Sequence, residues 1–548
     1  MKPKRAVIGL AFAALFFAVL LPPEAYPDGK VAVIICATVA FFSGLIERRI
    51  PPGYIHGGLA AFAFLILHSV FISMDAYRSL EFISVLWAYY CLSGFFLFAG
   101  FDPVKPLAIS MVALGIIVSG YGLYQYFWGF DQIYSYVSYA GSDQVLKVPA
   151  LERIASKRVF STLALPGTLW GFLTIALPFH ALFWHSNRWT KLLVSSAAVM
   201  LLATGVLTRS FGFLVGLFVL TAAWLYLRQR QLLWKLIPLF IVLILLAGTF
   251  YWARKGNIEA SNPAFLRAKN WITAWSIFAA HPMGAGLNNY GVAYSQHMLP
   301  EANETQYAHN TPLQLLSELG YPALIVGAFL LLLGLRAWDR RTHRQFSPYV
   351  VVALVIWATH NMIDINVYFP SLGVIGAVLL GVLLWKPAAA AQPEAKTGTL
   401  VAVCFGVIVL IFSGFAMVST ELQYRAQGEA DENRFQDAAD TLELATKLMP
   451  INSSLLHDSG DINLNLYHKK HDIRRLEIAT ASFRRAIALS PYKSGPHIGL
   501  GLCLSSANRV EDALEEIRIA QRLAPDATNA YAIARLLEKR LGIAQTPR

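Results

Sequence analysis

The sequence predicts an all-α protein, a polytopic membrane bundle of about 12–13 helices followed by a soluble helical solenoid. The first observation is composition: 56% of the 548 residues are hydrophobic and 14% charged, with mean hydropathy +0.50, whereas soluble chains carry roughly 25% charged residues. The second is length, because apolar runs of roughly 17 to 22 residues, enough for a helix to cross hydrocarbon, recur through the first 420 positions. The third is a shift after residue 420 to amphipathic, Ala-rich helical patterns closed by recurring Leu-x-Pro triplets.

The apolar runs fall near 6–22, 31–46, 55–73, 80–100, 106–127, 161–183, 191–208, 211–227, 235–252, 320–336, 349–363, 371–385 and 400–419. The first follows a basic start but ends at Pro22-Pro23-Glu24 instead of a small-residue cleavage site, so it reads as an uncleaved span. With the N-terminus cytoplasmic, the inside loops hold 17 of the 28 Lys and Arg of residues 1–420, in about half the loop length of the outside. The positive-inside rule therefore supports this orientation, and an odd number of crossings sends the tail outward. Residues 421–548 carry 17 cations against 17 anions, so the formal +12 belongs to the membrane part. It is an orientation signal and no argument for nucleic acid as a partner. Cys36, Cys91 and Cys404 lie in apolar runs and Cys503 is alone in the tail, which leaves no disulfide framework or thiolate metal site.

Two domains follow: residues 1–420, with a large outer loop near 253–319, and a repeat domain at 421–548. The last two Leu-x-Pro prolines, Pro491 and Pro525, are 34 residues apart, the tetratricopeptide period. The first two, Pro450 and Pro491, are 41 apart, which implies a seven-residue insertion near His468 to Arg475. Arrays of this kind bind partners more than they catalyse.

In the outer loop, Asn262-Pro263 signals a helix start and His281-Pro282 its end. Arg267, Trp271, Trp275 and Phe278 then share one face, either as an interfacial anchor or, for Arg267, as a phosphate contact. Gly284-Ala285-Gly286-Leu287-Asn288-Asn289 nearly matches a dinucleotide fingerprint but follows a helix and lacks the third glycine, so it reads as a turn. Thr311-Pro312-Leu313-Gln314 has capping-box spacing, which puts His309 beside a helix N-terminus where a neutral imidazole could act as base near a bound anion. Arg209 between apolar runs, and Asp364 beside His360, are charges at predicted outer helix ends, where a buried charge needs a reason. There is no P-loop, His-Glu-x-x-His, Gly-x-Ser-x-Gly or Asp-x-Asp, hence no nucleotide or metal site.

The segments RVFSTLALPGTLWGFLTIALP (158–178), TRSFGFLVGL (208–217), RAKNWITAWSIFAAHPMGAGLNNYG (267–291) and HNTPLQLLSELGYPALI (309–325), with HNMID (360–364), resemble in order the signatures of the O-antigen ligase and polymerase superfamily. The resemblance covers roughly residues 30 to 385. It implies a C-type glycosyltransferase fold and an undecaprenyl-diphosphate-linked glycan as donor. It also implies inverting transfer without metal or other cofactor, at the periplasmic face of the bacterial inner membrane, with the repeat domain in the periplasm. By the same resemblance His309, Arg209 and Arg267 are the catalytic residues, while Arg158, Asn310, Glu318, His360 and Asp364 bind substrate, with Asn310 also orienting His309. Two departures stand out: Ser161 to Pro166 replaces the family's Asn-Pro-Asn region, and Arg209 is followed by Ser210-Phe211. The acceptor is lipid A core for a ligase, a lipid-linked repeat for a polymerase, or a protein for an oligosaccharyltransferase. A transporter or flippase would show paired broken helices in two halves, where here the polar motifs gather on one side.

Overall fold

The computed structural model describes residues 5–133, 154–163, 165–228, 263–300, 302–325, 327–328, 347–385 and 396–543, and no strand occurs among them. Among the described residues, eight α-helices come before the large loop: α1 Arg5–Leu20, α2 Pro27–Ile46, α3 Pro52–Phe71, α4 Ala76–Leu97, α5 Val104–Tyr124, α6 Pro166–His180, α7 Arg188–Leu207 and α8 Phe211–Arg228. The loop contributes α9 Pro263–Ala280, α10 Tyr290–His297 and α11 Thr311–Leu319, followed by α12 Pro348–His360, α13 Pro370–Leu383 and α14 Lys396–Asp431. Proline opens α2, α3, α6, α9, α12 and α13, where its missing N–H costs nothing and its fixed φ favours the first turn.

Eleven of the thirteen expected spans coincide with described helices; those expected at 235–252 and 320–336 lie wholly or largely outside the described residues. Seven of the eleven are long and apolar enough to cross a membrane, and four are shorter apolar helices. The chain is a multi-pass, all-helical membrane protein.

Its core is built around α4, which packs on α2, α3, α13 and α14. Trp87, fully buried, stands edge-on to Phe41, Phe62 and Phe405 and donates from Nε1 to Thr38 Oγ1 at 3.0 Å. A second group forms around α6, which packs on α5, α7, α8 and α12. Between these groups the chain returns again and again to one end of the bundle. There Ser371 donates to Glu24 at 2.5 Å, Asn289 to the Asp75 carbonyl at 3.1 Å, and Thr311 to Asn361 at 2.8 Å.

Helix α14 runs without a break from apolar residues into the polar tail. The tail continues as α15 Phe435–Leu448, α16 Ser453–Lys470, α17 Ile473–Leu489, α18 Ser494–Ser506, α19 Val510–Leu523 and α20 Thr528–Leu541, each packed on the next. The seven-residue difference in period is absorbed inside the helices. The pair α16/α17 has 18 and 17 residues where α18/α19 has 13 and 14, eight more in the helices and one fewer in the connection between them. Phe483 is fully buried between α16 and α18 because Gly460 and Gly499 leave room for its ring.

Candidate active site

Asp364, in the turn between α12 and α13, is the hub. Its Oδ1 accepts from the Ile365 amide at 3.0 Å and lies 3.2 Å from His309 Nδ1. Its Oδ2 faces Arg267 Nη2 and His360 Nε2, each at 4.0 Å. Gly167, at the N-terminus of α6, packs so closely on Oδ2 that a Cβ there would lie 3.0 Å from it, which brings the positive end of a helix dipole onto the carboxylate. Burial alone would raise the Asp364 pKa, but the His309 hydrogen bond and the charges of His360, His309 and Arg267 outweigh it and hold the group at about 2. The carboxylate is therefore ionised at any working pH. An ionised carboxylate can only accept, so His309 Nδ1 carries a proton, and in the neutral imidazole the lone pair is then on Nε2.

His309 immediately precedes the cap of α11. The cap is Asn310, whose Oδ1 accepts from Leu313 N at 2.9 Å, and the helix begins at Thr311, one residue before the position expected from the Thr-Pro-Leu-Gln spacing. Gln314 does not complete a capping box; its Oε1 takes the Ala308 amide at 3.0 Å. Asn310 also donates to the Met362 carbonyl at 2.8 Å, tying the two polar turns together. The side chain bonded to the His309 ring is thus Asp364, while Asn310 secures the backbone beneath it. His309 has φ +52°, a left-handed conformation that costs a non-glycine residue about 1–3 kcal/mol and persists where surroundings over-determine it. Here those surroundings are the Asn310 cap, the Gln314–Ala308 bond and Trp271 Nε1, which donates to the His309 carbonyl at 3.3 Å.

Arg267 sits in the second turn of α9, whose limits agree with the Asn262-Pro263 and His281-Pro282 signals. It is partly exposed, so its guanidinium reaches both Asp364 and solvent. Arg209 lies between α7 and α8, exposed and also left-handed at φ +49°. A chain of contacts brings its turn to the hub. Gly212 is pressed on the Trp170 ring, and Trp170 stands edge-on to His360 at 4.1 Å between centroids. Arg158 Nε lies 3.4 Å from the Thr208 carbonyl, next to Arg209. Lys157, its neighbour, is committed to Asp131 at 2.8 Å and so is poorly placed to stand in for Arg158.

His360 is buried, with Nδ1 against Asn366 Oδ1. Gly171 is required beneath it, since a Cβ there would come within 2.7 Å of the ring. Glu318 is not part of the cluster. It is fully buried and accepts from Asn288 N at 2.7 Å, Tyr290 N at 3.1 Å, Gln314 Nε2 at 3.1 Å and Tyr368 OH at 2.5 Å. It anchors the 284–290 turn, in which Gly284 and Gly286 take φ +91° and +102° as the turn reading requires. Burial pushes the Glu318 pKa up to about 7 against the pull of those four donors.

Sequence reasoning missed two supports. Gln125, in a π-turn at the end of α5, brackets Ser161 through two bonds of 2.9 and 2.8 Å and so fixes the strand of chain behind Arg158. Trp170 lies inside the first recognised segment, yet nothing in its spacing shows that it meets His360. A π-turn leaves no pattern in a single sequence, although such turns cluster at functional sites.

Residues 196–328 match the family described as O-antigen ligase. The chain carries an O-antigen ligase family segment. It contains Arg209, Arg267 and His309 and stops short of Asp364, which the fold brings to them. No curated protein matches the chain. Among solved structures, it is similar to "Crystal structure of APC/C hetero-tetramer Cut9-Hcn1" at 11% identity, over 93% of this chain and 84% of that one, with a TM-score of 0.22. A likeness that slight carries no argument here.

Proposed function

We propose that the protein transfers a glycan from undecaprenyl diphosphate to an acceptor hydroxyl, with inversion and without a metal ion, at the periplasmic face of the inner membrane. The observation that carries this reading is the His309 Nδ1–Asp364 contact of 3.2 Å, with Arg267 on the other oxygen of the same carboxylate, beside the O-antigen ligase segment. Asp364 orients the imidazole, and Nε2 takes the acceptor proton as the hydroxyl oxygen attacks the anomeric carbon. The bond from that carbon to the diphosphate oxygen breaks, and undecaprenyl diphosphate leaves with its electron pair. Arg267, Arg209 and Arg158 meet the developing charge, a task suited to guanidinium forks fixed in advance.

Activity of purified His309→Ala on a defined lipid-linked donor tests the base. The rate should fall by about 10²–10⁴ while donor binding changes little. A wild-type rate, or a product that keeps the donor's anomeric configuration, overturns the mechanism. Arg209→Lys and Arg267→Lys should each lose activity, because a point charge cannot reproduce paired phosphate contacts; full activity in both would remove the clamp.

A further inference from the structure

A cavity of about 420 Å³ lies where the tail meets the outer end of the bundle, within the range of roughly 300–1,000 Å³ typical of small-molecule sites. One wall is Arg78 and Glu81, on the first turns of α4, and the other is Gln423 of α14 with Ser454 of α16. The back is aromatic: Tyr368 stacks on Phe82 at 4.7 Å with planes 5° apart, and Tyr307 packs beside it at 6.2 Å. Tyr307 is two residues before His309, so their Cα atoms are at most about 7 Å apart. One lining residue is therefore a near neighbour of the base along the chain.

Its two walls are pinned together. Asp75, the cap of α4, is buried; it accepts from Arg78 N at 3.3 Å and pairs with Lys493 at 2.7 Å and Ser453 Oγ at 2.9 Å. That latch holds the start of α4 against the start of α16, next to Arg78 on one side and Ser454 on the other. The lining chemistry is mixed: the carboxyls of Glu24 and Glu81, the latter paired with Lys30, the Arg78 guanidinium, three amides and two aliphatic hydroxyls around rings. Hydroxyl-rich ligands with apolar faces fit it, because carboxylate and amide oxygens accept from hydroxyls, guanidinium donates to them, and rings cover C–H faces. A phosphate fits poorly beside Glu24 and Glu81, and a purely apolar ligand would strip water from the polar lining without replacing its hydrogen bonds.

Resting on the transfer reading above, we propose that this cavity is a saccharide subsite, completed by the repeat array, that holds a short sugar segment next to the point of transfer. The segment belongs either to the acceptor or to the donor glycan. The array is then part of the substrate site, which is more than a platform for a protein partner.

Saturation-transfer NMR on the full-length His309→Ala protein in detergent tests this without turnover. Two probes are used: oligosaccharide released by mild acid from the lipid-linked glycan pool of the producing cells, and the lipid-free saccharide of their envelope glycolipid. One should show contact, which names the source. In the same background, Arg78→Ala, which removes a donor, and Ser454→Trp, which fills the space, should each weaken that contact about tenfold. Signal from neither probe, or signal unchanged in both variants, overturns the subsite. The two proposals fail separately. If His309→Ala abolishes transfer while Arg78→Ala and Ser454→Trp, in otherwise wild-type protein, keep the wild-type KM for both substrates, the base stands and the subsite falls. If His309→Ala is fully active, the mechanism falls whatever binds.

Discussion

His309 and Asp364 divide one chemical task between two residues 55 positions apart. The imidazole needs a fixed tautomer to act as base, and a carboxylate ionised down to a pH of about 2 supplies it. Asp364→Asn keeps the shape of the side chain but removes the charge and lets an amide face Nδ1, so the wrong nitrogen can carry the proton. The rate should drop by about 10²–10⁴, with a KM for donor close to wild type, since the change acts on the transition state. A loss confined to KM would instead make Asp364 a substrate contact, the role that the resemblance alone implies. The individual residues were visible in the sequence as charges at helix ends, and His309 as the neighbour of a helix start. Their pairing was not, because nothing local says which turns meet. Nor was the left-handed backbone of His309 and Arg209, since positive φ is readable from sequence chiefly at glycine.

At the scale of elements, legibility follows the strength of local signals. The Pro263–Ala280 helix and the 284–289 turn are both punctuated by proline or glycine and were readable to the residue. The sequence spacing puts the start of α11 one position late because Asn310 and Thr311 are both good caps, and tertiary bonding of Thr311 Oγ1 to Asn361 Oδ1 at 2.8 Å leaves Asn310 to do the capping. Glu318 shows the reverse: a lone acidic residue in a recognised motif is easily assigned to substrate, whereas its four donors make it a keystone between α11 and the glycine turn. This has a pH consequence. The folded-state pKa, about 7, is above the usual 4.5, so between these values the unfolded chain releases a proton that the folded one keeps. Stability present below pH 4.5 is accordingly lost as pH rises towards 7, by up to about 3 kcal/mol for this group. Glu318→Gln cannot ionise and should flatten that part of the profile, although it sacrifices an acceptor and lowers stability throughout. Thermal unfolding in detergent from pH 4.5 to 8 measures both effects, and an unchanged slope would show that the carboxyl is ionised throughout.

For the whole molecule, span counting and the repeat period were legible because hydropathy and a 34-residue spacing are collective signals that survive local irregularity. The docking of the tail on the bundle was hidden, because it rests on contacts that no pattern links, such as Asp75 with Lys493 and Tyr77 packed among apolar residues of the tail. That docking constrains topology. The Asp75 turn and the array must share a side, so a phosphatase fused at Arg548 should be active outside the cytoplasm if the cation counts are right; a fusion active only inside would reverse the orientation of the candidate site as well. The latch also has a measurable energy. Burial lowers the Lys493 pKa, but the Asp75 charge opposes that and its hydrogen bond holds the pair together. Lys493→Met leaves a buried carboxylate with Arg78 N and Ser453 Oγ as its remaining donors, which should cost about 3–5 kcal/mol and release the array from the bundle. Asp75→Asn with Lys493→Met removes both charges and should recover much of that loss, because the penalty comes from an unpaired buried charge more than from the missing bond. Limited proteolysis after Asp431 reads the release directly. Equal protection of the wild type and the single Lys493 variant would mean that the array is held by other contacts, and additivity in the double-mutant cycle would mean that Asp75 and Lys493 are neighbours without being coupled.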